Sequence, residues 1–381
     1  MPRRRSKRKN RKTLRLALAA PLAAIVVACG AAGEDASDGP GEDARSVDGL
    51  EVETLAEGLD TPWEVAFAPD GRVLVTERPG RIRVLEDDEL REEPYAELPA
   101  EETGEGGQLG LALDPDFDEN GRMYAYYTAA GDGGPVNRVV RLVEADGEVR
   151  EDGALLEAPA ASIHNGGRVA VGPDGKLYVT LGDVAEVGLA QDRGALAGKI
   201  ARLELGGSVP DDNPFPGSPV FSYGHRNPQG LAWDNEGNLY APEHGASGHD
   251  ELNLIEAGEN YGWPEVEGAG GEPEFADPLL ESGRETWAPS GAAHVSGGPW
   301  EGSVLFTGLR GASLHRVTFA PDDPSGVRDH REYLEGEYGR LRTVAQGPDG
   351  DLYVLTSNRD GRGDPTSGDD RLLRITVPEE G

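Results

Sequence analysis

His164 is the residue of this sequence best suited to move a proton. Asn165, Gly166 and Gly167 follow it, and paired glycines let a backbone or a ligand come close. An imidazole accepts a proton near neutral pH more readily than other side chains. Asp183 lies at the end of the next apolar run, where a carboxylate would hold the imidazole in one tautomer. The pair predicts general-base chemistry, and a hydrogen-bonded structural histidine is the alternative.

Four arginines form a second group of candidates. Arg340 and Arg342 are two residues apart, so they point to the same side of an extended strand. Arg226 and Arg310 stand elsewhere in a chain that has few cations. Guanidinium groups are permanently charged and bind carboxylates with two hydrogen bonds. They predict an anionic ligand, and ion pairs with the abundant Asp and Glu residues are the alternative.

Residues 245–251 form an oxygen-rich loop. Asp250 and Glu251 supply carboxylates, and Gly245 and Gly248 supply flexibility. Calcium takes several oxygen ligands in adaptable geometry, so such a loop suits it. An ordinary turn is the alternative, because Asp and Gly also favour turns. The sequence has no nucleotide-binding glycine fingerprint, no GxSxG elbow and no paired-cysteine metal motif.

The charge of the chain excludes one class of partner. Its 381 residues include 36 basic and 70 acidic side chains. Nine of the basic residues precede Cys29, where there is no acidic residue, so the remainder carries 27 basic against 70 acidic side chains. Such a surface repels phosphate backbones, so nucleic acid is not expected as a partner. Cys29 is the single cysteine, which excludes an internal disulfide.

The first 28 residues have the pattern of a signal peptide. A basic start leads into the apolar run of residues 16–28, which is too short for a comfortable membrane span. The ending Val26-Val27-Ala28-Cys29 resembles a bacterial lipobox, which predicts a lipid anchor at Cys29 as the one contact with the membrane. A cysteine that falls by chance near a cleavage site is the alternative. The protein is therefore expected outside the cytoplasm, at the cell surface or in the periplasm, and arginine pairs leave Sec and twin-arginine export open.

Residues 29–48 are rich in Gly, Ala, Asp and Glu and have no apolar period. This composition predicts a disordered tether between the anchor and a folded domain that begins at residue 49.

A recurring hairpin organises the rest of the chain. Each copy has an alternating apolar run, a tight glycine-containing turn of Pro-Asp-Gly type and a second run with an aromatic residue, which is a strong hairpin signal. The copies are residues 65–77, 111–127, 168–183, 230–245 and 343–358.

The spacing of the turn glycines predicts the architecture. Gly71, Gly121, Gly175 and Gly237 are separated by 50, 54 and 62 residues, and the 113 residues from Gly237 to Gly350 are close to twice that period. A degenerate copy at residues 302–319 fills the gap. Six units of this length predict an all-β fold, a six-bladed β-propeller over residues 49–381, without long helices. An early strand at residues 50–55 and a late one at 371–377 would complete one blade.

Four motifs together resemble a known family. They are HNGGRVAVGPDGKLYVTLGD, YGHRNPQGLAW, EHGASGHDELNLIEAGENYGWP and RLRTVAQGPDGDLYVLT. In this order they look like the glucose/sorbosone dehydrogenase family of soluble quinoproteins, close to the aldose sugar dehydrogenases, over about residues 50–377. The resemblance implies a propeller that binds pyrroloquinoline quinone (PQQ) and calcium and oxidises aldoses at the anomeric carbon to lactones.

The resemblance also implies roles for single residues. His164 matches the general base that takes the proton of the anomeric hydroxyl, and Asp183 would orient it. Arg226 and Asn227 match the pair that contacts the quinone carbonyls, where positive charge would stabilise a developing oxyanion.

Further matches concern the cofactor and its metal. The ring carboxylates would meet Arg340 and Arg342, with Arg310 where relatives often carry lysine. The backbone carbonyls of Gly245 and Ala246 match the loop that holds the cofactor's calcium. Glu251 and the carbonyl of Tyr261 match a second, structural calcium site.

Three positions depart from the family pattern. Glu105 stands where relatives place a cofactor-contacting glutamine, and a carboxylate beside an anionic quinone would require protonation or an arginine partner. Ile163 replaces an acidic sugar contact of glucose-specific relatives, and Ala246 stands where some relatives have proline.

Two other functions remain open from the sequence alone. One is a non-catalytic propeller that serves as a binding module, with Glu105 marking a lost cofactor site. The other is a calcium-dependent lactone hydrolase, which would require a central metal held by several carboxylates or amides. The preferred sugar, the electron acceptor and the choice between monomer and dimer are not readable from the residues.

Overall fold

Six antiparallel sheets make up the part of the chain that the computed structural model describes, residues 45–271 and 273–379. The predicted signal peptide, Cys29 and the tether up to residue 44 lie outside the described residues. The predicted six-bladed propeller is confirmed.

The strands are numbered in chain order, and the first two join the last sheet. They are β1 (Arg45–Val47) and β2 (Leu50–Ala56). Blade 1 contains β3 (Pro62–Phe67), β4 (Val73–Glu77), β5 (Arg81–Glu86), β6 (Glu89–Leu90) and β7 (Ala96–Glu97). Blade 2 contains β8 (Gln108–Leu113), β9 (Arg122–Gly131), β10 (Gly134–Ala145) and β11 (Glu148–Pro159). Blade 3 contains β12 (Val169–Val171), β13 (Leu177–Leu181), β14 (Lys199–Leu203) and β15 (Val220–Tyr223).

The remaining blades follow the same plan. Blade 4 contains β16 (Ala232–Trp233), β17 (Leu239–Glu243), β18 (Glu251–Ile255) and β19 (Leu280–Glu281). Blade 5 contains β20 (Pro289–His294), β21 (Val304–Gly308), β22 (Leu314–Ala320) and β23 (Asp323–Tyr333). Blade 6 contains β24 (Leu341–Gln346), β25 (Leu352–Thr356) and β26 (Leu372–Thr376), followed outward by β2 and β1.

Helices are short, as predicted. The described residues contain one α-helical turn, Phe117–Asn120, and one 3₁₀ turn, Val187–Ala190. None of the described helices has the length and apolar character needed to cross a membrane.

The five strong hairpins predicted from the sequence are the first two strands of blades 1, 2, 3, 4 and 6. Their turn glycines adopt positive φ, for example +92° at Gly71 and +90° at Gly350, which glycine reaches without steric cost. The first strand of each sheet lies innermost, where neighbouring sheets approach each other. Buried side chains fill the space between adjacent sheets, as in the cluster around Trp63, Tyr124 and Tyr126.

The degenerate repeat of blade 5 is out of phase with the prediction. Residues 302–319 form β21 and β22, the second and third strands, and not the first and second. The innermost strand is β20, whose sequence PSGAAH lacks alternating large apolar residues. Small residues suit this position, because a Cβ on Gly291 would collide with Thr343 of blade 6. Because the inner strands approach each other closely here, β20 lacks the alternating large apolar residues by which the other hairpins were predicted.

Blade 6 closes the ring with strands from both ends of the described chain. β2 pairs with β26, with Glu51 opposite Thr376, so the predicted early and late strands do share one sheet. The boundary of the predicted tether is wrong by a few residues, because β1 pairs with β2. Val47 packs against the cluster that contains Leu50 and Val52, and this apolar contact extends the folded domain towards residue 45.

Candidate active site

The predicted site residues lie in loops at one face of the ring. Glu105, His164, Arg226 and Arg340 each precede the innermost strand of a blade, whereas Asp183 follows a second strand. Since these strands are antiparallel, the start of the first and the end of the second meet at the same edge. The repeat therefore gathers side chains that are far apart in sequence.

The predicted pair of His164 and Asp183 is in contact. Their Nδ1 and Oδ1 atoms are 2.7 Å apart, and Asp183 is fully buried. The second oxygen of Asp183 accepts a hydrogen bond from Trp263 Nε1 at 2.8 Å. Burial alone would raise the pKa of Asp183, but the bonds from His164, the Ala185 N–H and Trp263 outweigh it, so the pKa lies below its ordinary value. Asp183 is therefore a fixed anion behind the imidazole.

The backbone of His164 is held in an uncommon conformation. Its φ is +57°, which is rare for a residue with a side chain and marks a position fixed by its surroundings. The N–H of His164 donates to Glu105 Oε2 at 2.8 Å. Gly182 lies against the carbonyl of His164, so closely that a Cβ there would collide with it. The imidazole thus has little freedom to turn away.

Arg226 and Asn227 sit next to this pair. Arg226 Nη1 donates to the carbonyl of Gly245 at 2.7 Å, and its guanidinium lies 5.3 Å from the ring centre of Trp263. Asn227 is buried, and its Oδ1 accepts a bond from the Gly166 N–H at 3.0 Å. Asn227 therefore supports the loop that carries His164.

A pocket opens at the axis beside these residues, and we call it the axial pocket. Its lining residues are Trp63, Arg78, Gly104, Glu105, Asn165, Gly166, Gln229, His244, Leu309, Arg342, Asp360 and Arg362. Arg342 is a buried cation of this pocket; its Nη1 donates to Gln229 at 2.9 Å, while its Nε has no hydrogen-bond partner. Burial lowers the pKa of Arg342 to about 9. A desolvated guanidinium of this kind favours an anionic ligand.

Arg340 and Arg310 do not line the axial pocket. Arg340 forms an ion pair with Asp360 at 2.7 Å, and Arg342 approaches the same carboxylate at 3.7 Å, so the two arginines do point to one side. Arg310 is exposed and lines a neighbouring cavity with Arg340. That cavity shares Leu309 and Arg362 with the axial pocket, which makes Arg310 a residue of the rim.

Glu105 has the arginine partner that its position requires. Its Oε1 lies 2.5 Å from Arg362 Nη1, while Oε2 accepts the His164 N–H. Burial alone would raise the pKa of Glu105, but the His164 bond and Arg362 hold it below its ordinary value. The carboxylate therefore stays ionised and neutralised, and its negative charge is not free to repel an anion.

The residues predicted to hold metal lie beside Arg226, in a small hollow lined by Glu243, Gly245, Glu251 and Tyr261 among others. Glu243 and Glu251 are cross-strand partners on β17 and β18. Burial, and then repulsion from Glu243, raise the pKa of Glu251 to about 8. Glu243 is already engaged by His225 Nδ1 and the Arg226 N–H, so Glu251 is the carboxylate of this pair that would bind a divalent cation.

Two members of the predicted metal loop behave differently. Asp250 turns inwards, and its carboxylate accepts bonds from the N–H groups of Gly245, Trp287 and Ala288. It shapes the loop and has no oxygen directed at the hollow. Ala246 is exposed, next to the Gly245 carbonyl that Arg226 contacts.

Several pocket residues were missed in the sequence. Trp263 and Asp360 orient predicted residues from distant loops, and Trp63 and Arg362 form walls of the axial pocket. His244 lines the pocket with a buried Nε2 that has no hydrogen-bond partner, and burial lowers its pKa to about 3. The position of His244 just before the oxygen-rich loop was the one feature of the sequence that could have indicated its place in the site.

The fold and the site define a class: a six-bladed propeller with an imidazole–carboxylate pair and guanidinium groups around an axial pocket. The chain belongs to the glucose/sorbosone dehydrogenase family, because the family model described as Glucose / Sorbosone dehydrogenase matches residues 59–374. This confirms the resemblance found in the motifs.

Individual relatives agree with that membership. The PQQ-bound aldose sugar dehydrogenase of Streptomyces coelicolor is 43% identical, with a TM-score of 0.79 over 87% of this chain and 99% of that one. Aldose sugar dehydrogenase YliI of Escherichia coli is 33% identical over 343 residues, 82% of this chain and 91% of the relative. Quinoprotein glucose dehydrogenase B of Acinetobacter calcoaceticus is 30% identical over 408 residues, 81% of this chain and 85% of the relative.

Proposed function

We propose that this protein is a PQQ- and calcium-dependent dehydrogenase that oxidises aldoses at the anomeric carbon to lactones. Family membership and the names of the relatives support an oxidoreductase that acts on sugars. The observation that carries the proposal is the His164–Asp183 pair beside a pocket walled by buried guanidinium groups.

The donor set fits the quinone. PQQ is a tricarboxylate, and Arg342 presents a buried cation with an unpartnered Nε. Arg226 also has a buried Nε without a partner. Arg342, Arg226 and Asn227 would hold the cofactor, with Arg310 at the rim. Arg340 lies outside the axial pocket, paired with Asp360, and would reach the cofactor only by leaving that carboxylate.

The donor set also fits calcium. The carbonyls of Gly245 and Ala246 would hold the ion next to the cofactor, and Glu251 with the carbonyl of Tyr261 would hold a second, structural ion. The carboxylate of Glu251, in the hollow that Gly245 and Tyr261 also line, supports a cation at this place. When bound, the quinone would accept the hydride of the anomeric carbon, and calcium would act as a Lewis acid beside it.

The protein's own residues would handle the proton. His164 would take the proton of the anomeric hydroxyl, since that bond must break as the carbon loses its hydride. Asp183 would fix the tautomer and stabilise the imidazolium that forms. Arg226 would supply positive charge where an oxyanion develops, while Trp263 holds both Asp183 and Arg226 in place.

The alternative functions receive less support. A lactone hydrolase would need several carboxylates or amides around one metal at the axis. Among the described residues, the one group of three metal-binding side chains within ligand distance lies on the outer strands of blade 5. A non-catalytic binding module would not require an oriented imidazole. It would also not require buried guanidinium groups with nitrogens that lack a hydrogen-bond partner.

We further propose that the protein works outside the cytoplasm and is anchored through a lipid on Cys29. The basic and apolar segments before this cysteine support the proposal. The high negative charge makes nucleic acid an unsuitable partner.

Dye reduction tests the proposed reaction. The purified protein is loaded with calcium and PQQ, an aldose and an artificial electron acceptor are added, and dye bleaching and lactone formation are followed. We expect His164→Gln to reduce kcat by about 10²–10⁴-fold, because general-base catalysis contributes this much, while titration with PQQ stays unchanged.

His294→Ala is the matched control, since His294 lies on β20 outside the pocket and should leave dye reduction unchanged. Failure of the loaded wild-type protein to reduce dye with any aldose would reject the dehydrogenase. Full activity of His164→Gln would reject only the role of His164.

A further inference from the structure

A cluster of metal-binding side chains lies on the outer strands of blade 5, away from the axial pocket. His315 is on β22, and His330 and Glu332 are on β23. His330 and Glu332 are two residues apart, so both point to the same face of their strand. Glu332 is the direct cross-strand partner of His315. The pleat thus brings two imidazoles and one carboxylate to one face of the sheet.

The distances within the cluster suit a small cation. His315 Nδ1 and His330 Nε2 are 3.0 Å apart, whereas Glu332 Oε2 lies 4.0 Å from the other ring nitrogen, His315 Nε2, and only one of these two nitrogens can bind a shared ion. One possible ligand atom can be chosen from each of the three residues so that all three atoms lie within 4.8 Å of one another. Ligands at 2.0–2.1 Å from a tetrahedral zinc ion are roughly 3.3 Å apart. The exposed Glu332 side chain would have to turn from its bond with Ser313 Oγ to bring an oxygen to the nitrogen of His315 that faces His330.

The surroundings hold the imidazoles in place. His315 is fully buried and stacks on Phe306, with ring centres 4.4 Å apart. A histidine binds a metal through an unprotonated ring nitrogen. Gly308 leaves room for the ring, since a Cβ there would lie 3.1 Å from His315 Nε2.

A polar partner supports the cluster from behind. Ser313 Oγ lies 3.1 Å from His315 Nε2 and donates to Glu332 Oε2 at 2.8 Å. Partners of this kind orient metal ligands and fix their tautomers. His330 is half-buried and Glu332 is exposed, so the cluster can be reached from solvent at the outer strand.

We propose that His315, His330 and Glu332 bind a borderline divalent transition-metal ion, with Zn²⁺ as the expected occupant and water as its fourth ligand. Two nitrogen donors and one carboxylate are a zinc-type ligand set. Calcium takes oxygen ligands and several of them, so the calcium that serves the axial pocket would not compete. The site would tie β22 to β23 at the outer edge of blade 5.

Zinc titration of the calcium-loaded protein tests the proposal. A chromophoric chelator competes for Zn²⁺ in the presence of excess Ca²⁺, and thermal unfolding is measured with and without zinc. We expect one zinc ion per chain and a rise in Tm on zinc addition. His330→Ala should weaken the binding by at least about 100-fold, the upper end of what the loss of a supporting partner costs. Glu332→Gln should weaken it by about tenfold or more.

His294→Ala is again the matched control and should bind zinc like the wild type. His330→Ala and Glu332→Gln change exposed or half-buried positions, and their Tm without zinc shows that they are folded. No zinc binding by the wild-type protein at micromolar concentration would overturn the proposal. Equal binding by the wild type and both variants would overturn it as well, because the ion would then lie elsewhere.

Discussion

The individual residues of the site differ in how far the sequence revealed them. His164 and Asp183 belong to one hairpin and its flanking loops, so a local reading predicted their contact, which the 2.7 Å distance confirms. Trp263 and Asp360 reach the site from loops far along the chain, and nothing near them in sequence indicates a partner. The catalytic and cofactor roles of all these residues stay predictions.

The pairing of Glu105 makes a prediction about pH. The pKa of Glu105 is lowered in the folded state, so its stabilising contribution is present above its unfolded value of about 4.3 and disappears as the pH falls through the lower folded value. We expect Glu105→Gln to cost about 1 kcal/mol between pH 5 and 7. Urea unfolding of both proteins from pH 3 to pH 7 measures this difference, which should shrink below about pH 4.

Arg362→Gln serves as the matched change on the other partner and should give a loss of similar size over the same range. A difference between wild type and Glu105→Gln that stays constant down to pH 3 would contradict the ion pair.

At the scale of elements, turn chemistry made five hairpins predictable. The prediction for blade 5 was out of phase because its inner strand β20 carries the small residues that tight packing requires, so the alternating apolar pattern lies on β21 and β22.

The conformation of the loop between β13 and β14 could not be predicted from the sequence either, since one buried side chain holds it. Lys199 Nζ donates to the carbonyls of Leu189, Ala190 and Ala197 at 2.7–2.9 Å.

Lys199 should therefore stabilise the loop that begins at Asp183. Lys199→Met would remove one donor from each of three carbonyls, and the Leu189 and Ala190 carbonyls would keep a backbone N–H donor. We expect a loss of about 1–3 kcal/mol together with slower dye reduction. Denaturant unfolding measures the stability, and PQQ titration separates loop disorder from loss of the cofactor pocket.

Lys176→Met is the matched control, because Lys176 pairs with Glu204 at the surface and should change stability by less than about 0.5 kcal/mol. Equal stability losses in the two lysine variants would contradict the anchoring role of Lys199.

At the scale of the whole molecule, repeat spacing was enough to predict six blades and the closure of blade 6. The repeat spacing did not predict the exact start of the folded domain. β1 has only three residues, and Val47 is the one that packs against the apolar cluster of blade 6. The ring itself depends much more on β2, in which Leu50 and Val52 are buried.

Truncations separate the two strands. Removal of the chain through residue 47 should lower the Tm by only a few degrees, since β1 is an exposed edge strand. Removal through residue 56 should abolish cooperative thermal unfolding, because it opens the cluster around Leu50 and exposes the edge of β26. A cooperative transition of the longer truncation near the wild-type Tm would contradict closure by β2.

The pairing of β2 with β26 also sets an order of events during synthesis. Residue 51 leaves the ribosome long before residue 376, its partner in the sheet, and the last blade lacks an inner partner for β2 until translation ends. Pairing over such a separation is slow. Each nascent chain therefore passes through an open, five-bladed stage, and the ring closes only after its last strands have been made.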